Sequence, residues 1–219
     1  MKKEIGGYFE LEDLAGKEYY PELYKVNLGR TALLWLLESR RYSKIYLPVF
    51  LCESVVEACE QHGIHIERYR MDAELNILLP QNKMKEKECL YLVNYYGQLT
   101  DEKILQYKEK YGNIIVDHTH AFFQKPLKGI DTLYSCRKFW GVSDGAYLAT
   151  DAVLSMDKPL DRSNKRMEHI LGRYEENAGA YYQEMLQNAA SYDRMEIRRM
   201  SRLTENLLGA IDYEAGKNR

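Results

Sequence analysis

The sequence predicts an α/β domain followed by a helical extension. Short β-rich apolar runs alternate with amphipathic stretches from about residue 27 to about residue 150. Turn signals separate these segments, and after residue 151 the β-branched runs give way to long charged stretches of helical character. With 219 residues, 45% of them hydrophobic, the chain can bury one core of ordinary size plus an appendage.

The elements follow in order. Thr31 to Arg41 carries Leu33, Leu34, Leu36 and Leu37 as a helical stripe opened by Gly29. Lys44 to Leu47 reads as a strand ended by Pro48, and Glu53 to His62 as a helix with Val55, Val56 and Cys59 on one face. Ile64 to Tyr69 alternates as a strand does, Cys89 to Asn94 is another, and Thr100 to Tyr111 is a helix. A buried strand is expected at Asn113 to Asp117, and two more at 131–135 and 145–150, separated by a loop that carries Lys138. The remainder predicts two long helical stretches, roughly 161–190 and 193–212.

Bulk properties narrow the function. A formal net charge of −2 without blocks of like charge gives no nucleic-acid footprint. Four scattered cysteines and an N-terminus without an apolar signal core are those expected of reduced thiols in the cytoplasm, and no metal-ligand spacing is evident. No apolar run approaches the roughly 20 residues of a membrane span. The 19 tyrosines suit half-buried interfaces and hint at a partner subunit.

Three segments carry chemistry. In NIIVDHTHAFF an apolar strand delivers Asp117 at its carboxyl end, where open α/β sheets place ligand-binding groups. A carboxylate there suits a cationic partner such as the pyridinium nitrogen of pyridoxal phosphate, and His120 is within reach of the cofactor's phenolic oxygen. Taken alone, Asp117 fits a turn cap equally well, with His118 and His120 as ordinary loop histidines. In TLYSCRKFWGVSDGAYLAT the Ser135-x-x-Lys138 spacing lets a hydroxyl hold a phosphate while the amine reaches an aldehyde, with Arg137 expected to bring positive charge near the lysine and Phe139 and Trp140 to bury it partly. A surface Arg-Lys pair is the plain alternative. NLGRTALLWLL offers a helix N-terminus to an anion, with Gly29 allowing close approach, Arg30 adding charge and Thr31 beside them, although an ordinary helix start reads the same way.

The order of these segments, anion site, strand-end Asp, then Ser-x-x-Lys, resembles the DegT family of pyridoxal-phosphate-dependent sugar aminotransferases over residues 27 to 150. LGRTAL at 28–33 stands where the family has SGTAAL, VDHTHA at 116–121 where it has EDAAQA or EDAAHA, and KFWGVSDGA at 138–146 where it has KNLGTGEGG. VNYYGQ at 93–98 and YLPVFLCES at 46–54 are similar to VHLYGQ and VIVPSFTFVAT. The resemblance implies a three-layer αβα large domain of the fold-type-I, aspartate-aminotransferase-like kind. It also implies a Schiff base on Lys138 and Asp117 at the pyridine nitrogen. The family's ring-stacking aromatic falls on Cys52, with Phe50 two residues earlier, and its phosphate-binding serine stands five residues before the lysine, whereas Ser135 stands three before.

The implied activity is transfer of an amino group from an amino donor to a keto-sugar, nucleotide-linked, in a homodimer whose active sites lie at the subunit interface. A dehydratase or epimerase on the same cofactor, or a truncated protein that binds cofactor or partner without turnover, remains open. Residues 1–26 read as an N-terminal segment, 27–160 as the cofactor-binding domain, and 161–219 as a helical extension toward a small domain that is absent. Leu203, Leu207, Leu208 and Ile211 are expected to be left exposed by that absence.

Overall fold

The computed structural model describes residues 11, 14, 16–80, 83–192 and 196–217. Among them runs an eight-stranded sheet: β1 (Tyr24–Val26), β2 (Lys44–Pro48), β3 (His65–Met71), β4 (Ile77–Leu78), β5 (Glu88–Val93), β6 (Ile114–Asp117), β7 (Asp131–Ser135) and β8 (Ala146–Ala149). Its spatial order is β1-β8-β7-β6-β5-β2-β3-β4. The five central strands, β7-β6-β5-β2-β3, are parallel, and the antiparallel neighbours β8, β1 and β4 flank them.

Helices α1 (Gly29–Arg40), α2 (Glu53–Gln61) and α3 (Asp101–Tyr111) connect these strands. Alternation along the strands fixes which helix covers which face. Ile45, Leu47, Cys89, Ile115 and Leu133 pack with Leu33, Trp35, Leu36 and Leu37 of α1 and with Val56 and Cys59 of α2. Their neighbours Tyr46, Leu90, Leu92, Ile114 and Val116 point the other way, onto Ile104, Tyr107 and Tyr111 of α3. The result is a three-layer αβα fold, as the sequence predicts. Local chemistry sets the helix ends: the Thr100 hydroxyl caps α3 by accepting from the Lys103 N–H at 3.3 Å, and Gly112, with φ 79°, ends it.

The C-terminal part departs from expectation. Instead of two long helices, four short ones form: α4 (Glu168–Glu175), α5 (Tyr182–Ala190), α6 (Arg202–Gly209) and α7 (Tyr213–Gly216). The start of the second predicted stretch, 193–195, lies outside the described residues. The stretch leading to α6 is extended: Arg199 bridges both Val26 and Leu160, and the Asn27 N–H donates to the Arg198 carbonyl at 3.0 Å.

The apolar stripe of α6 is covered rather than exposed. Leu208 is fully buried, and Leu207 and Ile211 pack beside it on a cluster of Tyr20, Phe122, Tyr134, Trp140, Tyr147, Met200 and Tyr213. This cluster fills the α3 face of the sheet toward β8, because Tyr134 and Tyr147 are register partners pointing to that side. The strands β1 and β4 have three and two residues, too few for an alternation to register in the sequence.

Candidate functional site

In the parallel part of the sheet, chain order reverses between β2 and β5, and a cleft opens there beyond the strand carboxyl ends. A cavity of about 430 Å³ occupies it, large enough for a cofactor-sized ligand. The segment after β2 contributes Phe50 and Cys52, β5 contributes Tyr91 and Val93, and β6 contributes Asp117, with Thr119 and His120 following it. From β7 and the turn after it come Leu133, Ser135, Arg137 and Lys138, and Gly29 and Arg30 begin α1.

Eight of the nine residues singled out as cofactor-binding therefore line one cavity: Gly29, Arg30, Phe50, Cys52, Asp117, His120, Ser135 and Lys138. Thr31 does not. Its hydroxyl is buried under the first turn of α1, where it donates to Asn27 Oδ1 at 2.6 Å and accepts from the Leu28 N–H at 3.2 Å. Thr31 therefore serves as the helix cap, which Leu28 as the N-cap residue has no side-chain group to supply.

Asp117 is the most distinctive group. Only 6% exposed, it accepts hydrogen bonds from the Tyr91 hydroxyl and the Thr119 N–H, both at 2.7 Å. Burial pushes its carboxyl above the ordinary range, with those two bonds and the nearby His120 opposing. Among the described residues, no cation lies within ion-pair distance of it. Tyr91, whose phenol holds this carboxylate, escaped the sequence reading because a tyrosine in the middle of an apolar strand looks like core.

The two histidines of HTH differ sharply. His120 is exposed at the rim, its ring stacked on Tyr96 with centroids 5.9 Å apart. His118 lies on the opposite side of the strand, 1% exposed, its Nδ1 accepting from the Asn94 amide at 3.2 Å. It is thus a core group rather than a loop histidine, and burial pushes its pKa down to about 4. The folded state withholds a proton that the unfolded chain takes up near pH 6.5. This contribution to stability is complete above that pH and is lost as the pH falls toward 4, on the order of 3 kcal/mol. Urea midpoints measured from pH 7 to pH 4 should fall, and His118→Gln should flatten that fall; an unchanged slope in the variant would discount His118 as its source.

Lys138 is exposed, and the partial burial expected from Phe139 and Trp140 does not occur. Phe139 and Trp140 turn into the aromatic cluster under Phe122, and the Arg137 guanidinium lies 5.7 Å from the Tyr192 ring. The loop after the lysine is anchored by Asp144, fully buried, which accepts from the Ser201 N–H and Ser201 hydroxyl, both at 2.8 Å, and from the Thr204 hydroxyl. Gly145 beside it has φ 121°, a conformation that favours glycine, and a Cβ there would stand 3.0 Å from Thr204 Cγ2 and press on it.

No protein-family model and no curated protein matches this sequence. Solved structures similar to it include DesV of S. venezuelae in complex with a ketimine intermediate, with a TM-score of 0.46, 16% identity, and cover of 58% of this chain and 39% of that one. NtdA from Bacillus subtilis with bound cofactor PMP gives 0.47, 15%, 60% and 33%. The sugar aminotransferase CalS13 from Micromonospora echinospora gives 0.42, 17%, 59% and 42%. The chain thus spans less than half the length of each of these proteins, and likeness at this level carries no functional argument. Among the described residues no helix is long and apolar enough to cross a membrane.

Proposed function

We propose that this chain is the cofactor-binding part of a pyridoxal-phosphate-dependent aminotransferase that acts on a keto-sugar, nucleotide-linked. The observation that carries the reading is Asp117: a buried carboxylate, held by Tyr91 and Thr119 and without a cationic partner among the described residues, in a cavity that also presents a lysine amine. A protonated ring nitrogen is the ligand group that such a carboxylate fits. When bound, pyridoxal phosphate supplies an electron sink for charge that develops at the substrate's α-carbon.

The chain's own residues divide the remaining work. Asp117 keeps the proton on the pyridine nitrogen, and Tyr91 and Thr119 hold its two oxygens so that it faces the cavity. Lys138 would provide the primary amine that holds the cofactor covalently and, once a substrate amine has displaced it, would move a proton at the substrate's α-carbon. The first turn of α1 with Gly29 and Arg30, together with the Ser135 hydroxyl, receives the phosphate. Phe50 and Cys52 would lie over the ring and His120 would stand beside its phenolic oxygen, all three lining the cavity. The sugar substrate rests on the likeness of LGRTAL, VDHTHA and KFWGVSDGA to the DegT segments. The same likeness supports a homodimer, and a division in which 27–160 bind cofactor and 161–219 lead toward a small domain.

The test is covalent capture. Protein incubated with pyridoxal phosphate and reduced with borohydride should carry a single adduct, mapped by peptide mass to Lys138. Lys138→Ala should lose the adduct while retaining non-covalent affinity within about tenfold through the phosphate contacts. An adduct that persists in the alanine variant, or none in the parent protein, would refute the assignment. A half-reaction with an amino donor, followed by addition of a nucleotide-linked keto-sugar, then tests the substrate.

A further inference from the structure

Three guanidinium groups converge on one phenol ring at the edge of the cavity. The guanidinium carbons of Arg30, Arg137 and Arg166 lie 5.9, 5.7 and 4.5 Å from the centroid of Tyr192. Arg30 and Arg137 line the cavity, while Arg166 does not and is paired with Asp161 at 2.8 Å. Tyr192 is 7% exposed, and its hydroxyl donates to the Ser143 carbonyl at 3.0 Å, which fixes the ring to the loop that follows Lys138.

Clustered like charges repel, and the repulsion grows as water is excluded. Asp161 answers the charge of Arg166. Nothing comparable answers Arg137: among the described residues no carboxylate stands within ion-pair distance of it. Burial first, and the like charge of Arg166 after it, lower its hold on the proton, with Tyr192 and Asp144 acting the other way. A half-buried guanidinium that faces a cavity under these conditions is matched by an anion from outside the chain. Ser135 is at the same end, because a Cβ on Gly29 would lie 4.0 Å from Ser135 Cβ, and among the described residues its hydroxyl has no protein partner.

We infer that Arg137 binds the phosphate of a phosphorylated ligand in this cavity, and that Tyr192 is the residue that positions its guanidinium. The cofactor reading supplies one source of that phosphate, and in that respect the inference rests on it; the diphosphate of a nucleotide-linked substrate is the other source. Arg137 occupies an unspecified position of Ser135-x-x-Lys138 with no ligand role assigned to it there, and Tyr192 comes from the region beyond residue 161. The planar fork of arginine suits two phosphate oxygens at once, and the Tyr192 face supports it by stacking and by attraction of the cation to the ring.

Affinities of the full chain for pyridoxal phosphate, pyridoxal and UDP, measured by calorimetry without turnover, test this. Arg137→Gln should weaken binding of the phosphorylated ligand by about tenfold to a hundredfold, the size of a lost charge-assisted hydrogen bond. Arg137→Lys should fall between the two. Pyridoxal, which lacks the phosphate, should bind the parent and the variants alike. Tyr192→Phe should retain affinity within about twofold, and Tyr192→Leu, which removes the ring, should reproduce the Arg137→Gln loss.

A loss confined to pyridoxal phosphate assigns the seat to the cofactor, and one confined to UDP assigns it to the substrate. If the parent binds UDP through Arg137 but takes up neither pyridoxal compound, the cofactor reading fails while this inference stands. Unchanged affinity of both phosphorylated probes in Arg137→Gln and Arg137→Lys overturns it, as does a parent that binds neither probe.

Discussion

Replacing Asp117 by asparagine is expected to give a protein that is more stable than the parent and far slower in the half-reaction with an amino donor. The carboxylate is buried, and its raised pKa means that the folded state prefers the protonated form. Its contribution to stability is therefore greatest below the ordinary carboxylate value near pH 4 and is lost as the pH rises through the folded-state value. At neutral pH the ligand-free protein bears that cost, which an uncharged amide removes. Asparagine Oδ1 can still accept from the Thr119 N–H, but the amide nitrogen would face the Tyr91 hydroxyl and leave its proton without an acceptor. The net gain should be about 1 kcal/mol at pH 7, seen as a higher urea midpoint.

The chemistry should suffer far more. Without a carboxylate to keep the ring nitrogen protonated, the half-reaction with an amino donor should slow by roughly a hundredfold to a thousandfold, the range found when one electrostatic partner of a developing charge is removed. Covalent capture at Lys138 should survive, because it needs the amine rather than the ring charge. An asparagine variant that turns over at the parent rate would take Asp117 out of the mechanism, whatever its stability.

Asp144→Ala is expected to be the most damaging single change to the fold among those considered. The side chain is wholly enclosed and accepts from the Ser201 N–H, the Ser201 hydroxyl and the Thr204 hydroxyl, so it holds Ser201, the N-cap of α6, and ties that helix to the loop after Lys138. Alanine would strand buried donors that water cannot reach. A loss of roughly 3–5 kcal/mol is expected, or about 6–20 °C in melting temperature for a chain of this size. Covalent capture at Lys138 should fall as well, although Asp144 does not line the cavity. A melting temperature within two degrees of the parent would show that the three hydrogen bonds add little.

The parts of this architecture that are legible in the sequence are those that local pattern controls. The strands β2, β5, β6 and β7 are buried on both faces, so they read as apolar runs with turn signals at their ends. Asp117, Ser135 and Lys138 stand out because chemistry placed just after such runs is visible in one dimension. Tyr91 shares the cavity but sits within a run, where a phenol reads as packing. Thr31 misleads in the opposite sense, since its place in LGRTAL suggests a ligand while its hydroxyl is consumed by the helix cap.

The C-terminal region was misread because charge-rich amphipathic periodicity does not reveal where a helix breaks. The Asn177-Ala178-Gly179 turn divides α4 from α5, and Gly172 within α4 makes room for the returning Tyr181 ring, which a Cβ there would meet at 2.3 Å. The bonds from Asp144 to Ser201 and Thr204 join residues separated by 57 and 60 positions, and no local signal announces them.

The outer edge of the sheet also fixes an order in time. Strand β1 is synthesised well before its partner β8, and the Lys25 carbonyl accepts from the Met200 N–H. At about 5–20 residues per second, the roughly 175 positions between Lys25 and Met200 correspond to a wait of about 10–35 seconds. Throughout that interval the edge of β1 that Met200 will occupy stays unpaired, a surface that a chaperone or a neighbouring nascent chain could engage.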